Sequence, residues 1–440
     1  MIMFDGKITT LEFIFNLKHK FIVKFNPKLI FTTPFQKNIA TLFSGTLLAQ
    51  LINVIGALFL AKLYAPEFYG AYSVFLSFVS ILTIVNSLKL EYVIITDNSE
   101  EKSKNMVNAI LIIVLIVSVI HLFLFALFKD FFFKHGIFYI LLLLSSITSM
   151  FLSNAKLLES YATRKSWFKK IANARVLMAI CTVLFQFILF YYSKNGLIYG
   201  YAGAVLVLFI FYILISKNII KKPDLALFKN TVKYHKNIIR FAYPSGLING
   251  VANYILPILI LAYFSAAESG VYALGLKVVS VPLFIISSSI SQVYFQKASD
   301  FFNHAKYKLY DFTKKVALTN ILIMLAILLV INTIGIYLLE LFFDKDWENL
   351  SIYIVILSFF VLGQVAFSPI SSLIVIINKM HIGLIFNITL AFINFIAIYI
   401  GQLYNNIVYT VLIFSIVGGL SYIILLIYFL SLLKTYKKEV

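Results

Sequence analysis

Residues 45–72 read GTLLAQLINVIGALFLAKLYAPEFYGAY, and residues 245–272 read SGLINGVANYILPILILAYFSAAESGVY. Laid over each other without gaps, Asn53 falls on Asn253, Gly70 on Gly270 and Tyr72 on Tyr272, with Leu47 and Ile55 on Leu247 and Ile255. Apolar matches are cheap in so greasy a sequence. The Asn, Gly and Tyr matches are not, because they hold one register through a long apolar run and the turn that follows it. Each stretch contains an apolar run near the roughly 20 residues a helix needs to cross the hydrocarbon core. The chain therefore reads as a duplicated membrane unit.

The rest of the sequence repeats that pattern. Of 440 residues, 61% are hydrophobic and only 12% charged, with a mean hydropathy of +0.95. A water-facing surface needs about twice that charge, whereas lipid needs none. Apolar runs cover 39–62, 69–90, 107–128, 137–157, 171–192 and 197–216, then 238–264, 271–295, 316–339, 350–376, 382–403 and 408–433. The fourth is the weakest, diluted by Ser145, Ser146, Ser149, Ser153 and Asn154. The expected fold is an all-α membrane protein of about 12 transmembrane helices in two six-helix repeats. Six is even, so both repeats enter the membrane in the same sense and are parallel, an arrangement transporters use to place a site between two units. The expected division is a basic N-terminal arm (1–37), a first unit (38–216), a basic linker (217–237), a second unit (238–433) and a tail (434–440).

The formal charge of +19 is spread over short segments between apolar runs, which points to membrane topology rather than nucleic acid. With the N-terminus inside, the outside connections hold only Lys62, Lys129, Lys134, Lys194 and Lys345, and Lys277 lies within a span. The other 31 of 37 Lys and Arg fall on the inside. This bias sets both termini in the cytoplasm. The outside connections are too short for an extramembrane catalytic domain. The arm lacks the compact apolar core and small-residue cleavage site of a signal peptide, and reads either as an interfacial segment or as a tail. The lone Cys181 excludes a disulfide framework and reads as a small buried hydrophobe. Neither a catalytic motif nor a metal or cofactor signature is present.

Polar residues inside the membrane are the functional candidates, because an intramembrane charge usually faces a cavity or a partner. Lys277, about two turns below Gly270, reads as a cation attracting an anionic substrate, or as a lysine snorkelling to the outer surface. Gln50 with Asn53, and Asn249 with Asn253, share one helical face in each repeat. They read as a polar stripe suited to sugar hydroxyls, or as interhelical hydrogen bonding. Gln292, Gln296, Gln364, Asn387 and Asn394 extend the polar surface. Lys89, Glu91, Arg175 and Arg240 sit near the inner ends of spans, as phosphate receivers or as anchors and local ion pairs. The first repeat otherwise reads as poor in buried cations. His121 reads as structural. Pro244, Pro257 and Pro282 mark kinks in spans seven and eight.

Four segments resemble one family. They are residues 34–78, PFQKNIATLFSGTLLAQLINVIGALFLAKLYAPEFYGAYSVFLSF; SLKLEYVII around Lys89 and Glu91; Arg164 to Phe168; and GVYALGLKVVSVPLFIISSSISQVYFQKASD around Lys277. The chain is similar in these to polysaccharide-export flippases, the Wzx-type O-antigen and capsule translocases of the MATE-like exporter superfamily. The resemblance implies two lobes around a central cavity in a bacterial inner membrane. It implies an undecaprenyl-diphosphate-linked oligosaccharide as substrate, moved from the cytoplasmic to the periplasmic leaflet, with a downstream polymerase as a partner. A cationic cavity would carry over to Lys277 and Arg240. The rivals are a MATE-type drug antiporter, a flippase for lipid II or teichoic acid, and an O-antigen polymerase or ligase. The first would need acidic residues within the spans, and the last a large outside loop.

Overall fold

The computed structural model describes residues 34–97, 99–127, 136–236, 238–343 and 347–438. Most of the basic arm, and Lys129, Lys134 and Lys345 of the outside connections, lie outside the described residues. Twelve helices are long and apolar enough to cross a membrane. In chain order they are α1 (Pro34–Leu63), α2 (Pro66–Ser87), α3 (Glu100–Leu127), α4 (Gly136–Arg164), α5 (Phe168–Phe190) and α6 (Gly196–Ser216). The second set is α7 (Tyr243–Tyr263), α8 (Ala266–His304), α9 (Lys306–Val330), α10 (Leu350–Phe367), α11 (Met380–Leu403) and α12 (Ile407–Lys438). A π turn, Ile331–Gly335, carries α9 on into a short helix, Ile336–Phe342.

Every predicted apolar run lies on one of these helices. The ends differ where a helix outlasts its hydrophobicity. α3 starts at Glu100, since two glutamates in its first turn complement the helix dipole. α8 runs on to His304 as a polar extension. α10 stops at Phe367 because Pro369 has no backbone donor to continue it, and a 3-10 turn follows.

The two halves share one order of neighbours. α1 packs on α5, α5 on α6, α6 on α4, and α4 on α2 and α3. In the second half α7 packs on α11, α11 on α12, α12 on α10, and α10 on α8 and α9. Between the halves α2 meets α8 and α7, and α8 meets α1. The 200-residue offset survives in the helix limits, α2 and α8 beginning at Pro66 and Ala266.

The serines that dilute the fourth run explain where α4 sits. Ser145, Ser146, Ser149 and Ser153 are all buried. Ser146 Oγ donates to the Ser118 carbonyl of α3 at 3.2 Å, and Asn86 Nδ2 of α2 donates to Ser149 Oγ at 3.1 Å. Small polar side chains let helices approach closely in lipid, where no hydrophobic force drives them together. α4 is the inner helix of its half. Large apolar side chains such as Phe123, Leu322, Phe392 and Ile424 instead face outward, as a lipid-facing surface requires.

The linker is folded. Asp224 caps the helix Leu225–Tyr234, accepting from the Ala226 and Leu227 amides. Asn105 of α3 exchanges two hydrogen bonds with the Asp224 backbone, at 2.8 and 2.7 Å. Asn108 does the same with Ile219 and Lys221, both at 2.9 Å. The segment is thus fastened to the first half, and a π turn, Ile238–Ala242, leads from it into α7.

Candidate functional site

The ends of α2 and α8 that the charge bias sets outside are closed against each other. A Cβ on Gly70 would drive into the Ala266 carbonyl, and one on Gly270 into the Pro66 carbonyl. The contact is reciprocal across the repeat, so each glycine lets the other helix's backbone approach. Ser73 and Ser269 lie side by side next to them, their hydroxyl oxygens 3.0 Å apart. Aromatic rings extend the seal, with Tyr69 edge-on to Trp347 at 5.6 Å and Phe59 edge-on to Phe342 at 5.8 Å. The Lys62 ammonium stands over the same Phe342 ring at 4.7 Å.

At the other end of α2 the chain turns sharply. Leu88 (φ 50°) and Lys89 (φ 59°) are both left-handed, a costly conformation for side-chain-bearing residues and one that clusters at functional sites. The turn is held by the fully buried Leu90, whose N–H bonds to the Ser87 carbonyl at 2.9 Å. It presents Lys89 and Glu91 to a cavity of about 50 Å³, lined also by Thr83 and Ser87 of α2 and by Ser153 and Lys156 of α4. Lys89 Nζ lies 4.0 Å from Glu91 Oε1, and its stem packs on Gly246 of α7, where a side chain would clash. Nearby, Arg175 of α5 joins Glu159 of α4 at 2.8 Å and Thr46 of α1 at 2.7 Å.

Lys156 and Lys277 share an unusual setting. Each lies on a membrane-spanning helix yet keeps part of its surface accessible. Lys156 lines the small cavity beside Lys89, and Lys277 lies on α8 of the other half. Among the described residues Lys277 has neither an ion pair nor a hydrogen bond. Lys89, Lys156 and Arg175 are the cations of the first half placed near the cavity and the Glu159 contact, and among the described residues no Lys or Arg is fully buried. Lys156 was missed because it ends an apolar run, where a cation reads as part of the connection. The turn of α4 that buries Leu157 and Leu158 sets Lys156 at the cavity beside Lys89.

The polar stripe divides. Asn249 Nδ2 donates to Asn387 Oδ1 at 2.9 Å, joining α7 to α11, and Asn394 donates to the Ala252 carbonyl at 2.8 Å. Asn253 Nδ2 turns back to the Asn249 carbonyl at 2.7 Å. In the second half the amides thus serve helix packing, although Asn249 and Asn253 stay exposed. Gln50 and Asn53 of α1 are half-buried and have no hydrogen bond among the described residues. The side chain of Gln292 lies outside the described residues. Gln364 reaches Tyr422 of α12 at 3.3 Å, and Gln296 is exposed. Arg240 is exposed in the π turn, stacked over Phe241 at 5.3 Å, apart from the lysine cleft. His121 lies against Phe125. Among the described residues no group of three His, Cys, Asp or Glu side chains is placed to hold a metal ion.

Residues 59–352 match a family described as polysaccharide biosynthesis protein. No curated protein matches the chain. Among solved structures, the chain is similar to the lipid II flippase MurJ in an inward closed conformation, with a TM-score of 0.71 at 16% identity, covering 89% of this chain and 87% of that one. It is similar to an inward-facing multidrug resistance MATE family transporter of the MOP superfamily, with a TM-score of 0.62 at 14% identity, covering 91% and 99%. It also resembles a MOP superfamily transporter from Pyrococcus furiosus, whose binding pocket is described as reversed in polarity, with a TM-score of 0.56 at 14% identity, covering 92% and 98%.

Proposed function

We propose, from the premise that this chain belongs to the polysaccharide biosynthesis protein family, that it flips a diphosphate-linked oligosaccharide on a polyprenyl lipid across the membrane. The coarser statement is secure. The chain belongs to that family and has the multi-span fold of MATE-like MOP superfamily transporters. The cargo and its direction, from the cytoplasmic to the periplasmic leaflet, are the proposal.

The observation that carries it is the pair of lysines at one small cavity of the first half, Lys89 and Lys156, which we read with Lys277 on α8 of the second half as lining one cleft. Such a cleft attracts a diphosphate and repels a cationic drug. Serine and threonine hydroxyls beside Lys89 and Lys156 supply further donors. In this reading Lys156 and Lys277 take the lipid head group from the two halves, and the amides on α1 and α7 take the sugar hydroxyls. With both termini in the cytoplasm, as the charge bias implies, the sealed ends of α2 and α8 would face the periplasm. Export then takes negative charge outward, down an inside-negative potential. That is favourable by roughly 2.3 kcal/mol per charge per 100 mV.

Deletion of the gene in its host tests this reading. Surface polysaccharide should fall while lipid-linked oligosaccharide accumulates in the inner leaflet, and wild-type chain should restore both. Unchanged surface glycan with increased drug sensitivity would instead establish the antiporter. Accumulation of lipid II or a teichoic-acid precursor would reassign the cargo.

A further inference from the structure

Glu91 is the one side chain in the lysine cavity that opposes an anion. Its carboxylate is about four-fifths buried, with side-chain exposure of 19%. One oxygen stands at the long distance of 4.0 Å from Lys89 Nζ. The other, Oε2, is buried without a hydrogen-bond partner among the described residues. A buried carboxylate oxygen without a donor is costly.

Other carboxylates in the molecule are held differently. Glu159 has Arg175 at 2.8 Å. Asp97 accepts from the Ser99 amide at 2.8 Å and meets His235 at 3.1 Å. Asp224 caps a helix through two amides. Glu268 accepts from the Tyr353 hydroxyl at 2.6 Å. Each of these is fixed by short contacts, as a structural carboxylate should be. Glu91 is not fixed, although two ammonium groups line its cavity and the left-handed turn at Leu88 and Lys89 holds it there.

We infer that Glu91 is a resident counter-anion, occupying the lysine cavity when it is empty and yielding Lys89 and Lys156 to the phosphates of the cargo. This rests on the flippase reading above and adds a release device to it. With Glu91 ionised, two lysines and one carboxylate leave the empty cavity with a single net positive charge. That is enough to attract a diphosphate but too little to hold it permanently. Translocation requires binding weak enough to leave as well as strong enough to enter. When the cleft reopens on the far side, the return of Glu91 to Lys89 displaces the phosphate.

The test uses the full purified chain with inorganic pyrophosphate as probe, titrated calorimetrically, each variant being checked by its melting curve. Glu91→Gln removes the competing charge at nearly constant size. It should bind pyrophosphate about tenfold more tightly, the scale of a close like-charge repulsion. Glu91→Asp, with its charge drawn back by one methylene, should fall between the two. The Lys89→Gln/Lys156→Gln pair should lose binding. In proteoliposomes, Glu91→Gln should turn over lipid-linked diphosphate more slowly despite its tighter binding. Unchanged or weaker binding in Glu91→Gln and Glu91→Asp, with binding lost in the lysine pair, would overturn the counter-anion role and leave the flippase reading intact. Absence of pyrophosphate binding in every folded variant would overturn the anion-site reading, and the role of Glu91 with it.

Discussion

Arg175 and Asn387 occupy the same place in the two repeats. Each lies seven residues past the start of its helix, Phe168 for α5 and Met380 for α11. Each reaches the first helix of its own half, Arg175 through Thr46 of α1 and Asn387 through Asn249 of α7. The geometry is repeated and the chemistry is not. The first half places ions at this level (Arg175 with Glu159, and Lys89, Glu91 and Lys156 nearer the turn), whereas the second places amides and the single cation Lys277. A duplicated scaffold can thus give its two sides different tasks. Under the proposed function the first half takes the phosphates and the second presents a surface suited to hydroxyls.

The sharpest way to break this division is to neutralise each side in turn. Lys89→Gln with Lys156→Gln should reduce transport of lipid-linked diphosphate in proteoliposomes by at least about 100-fold, the loss of two charge-assisted contacts at roughly 1.5–3 kcal/mol each. Lys277→Gln should cost about tenfold by the same scale. Equal losses from the two sides would end the assignment of phosphate to the first half.

The outer seal tests the opposite expectation, equality. Gly70 and Gly270 each admit the backbone of the other helix. Gly70→Val and Gly270→Val should therefore both hold the outer ends apart, with transport reduced about tenfold in each, while both proteins still fold because the clash is relieved by opening. Crosslinking between cysteines placed at positions 73 and 269 should fall in both variants. A large loss in one variant alone would show that the seal is not two-fold in energy, whatever its geometry.

A smaller contrast is stability. Arg175→Ala removes a part-exposed ion pair and should lower unfolding stability in detergent by about 1 kcal/mol. Asn387→Ala removes one interhelical amide bond, worth about 0.6 kcal/mol in membrane proteins. Denaturant titration of both variants would order them, and a larger cost for Asn387 would place the second half's amides ahead of the first half's ions as structural elements.

The helices and their duplication were legible in the sequence because hydrophobicity over some twenty residues is a strong signal and Asn53, Gly70 and Tyr72 fix the register. The site was legible only in part. Lys277 stood out by interrupting an apolar run. Lys156 did not, since a cation at the end of a run reads as part of a loop until the helix is seen to continue to Arg164. The pairing of Asn249 with Asn387 was beyond reach for a different reason. Sequence gives the face of one helix but not which neighbour the face meets. The left-handed turn at Leu88 and Lys89 carries no glycine to announce it, so the geometry that aims Lys89 and Glu91 had no local signature.

The smallest expected effect lies on the inner surface, where the linker is fastened to the first half. Burial pushes the Asp97 carboxyl up. The Ser99 amide, His235 and nearby Lys102 pull it down further, and the net shift is below the usual carboxylate range. Those contacts favour the ionised form, so the stabilisation they give is complete above the unfolded value of about 3.9 and fades as pH falls through the lower folded value. Asp97→Asn keeps an acceptor for the Ser99 amide and removes only the charge. The melting temperatures of the wild-type chain and Asp97→Asn should then differ by a constant amount from pH 7 to pH 5 and converge below about pH 4. Convergence already near pH 6 would show that the charge of Asp97 does not hold the latch, because loss of a depressed carboxylate charge cannot occur so far above its own range. Among the described residues no side chain of the second half forms a hydrogen bond or ion pair of this kind with the linker, whose last such side-chain contact before the π turn is this pair. A stability difference that is lost only in acid would therefore locate the linker with the first half thermodynamically as well as geometrically.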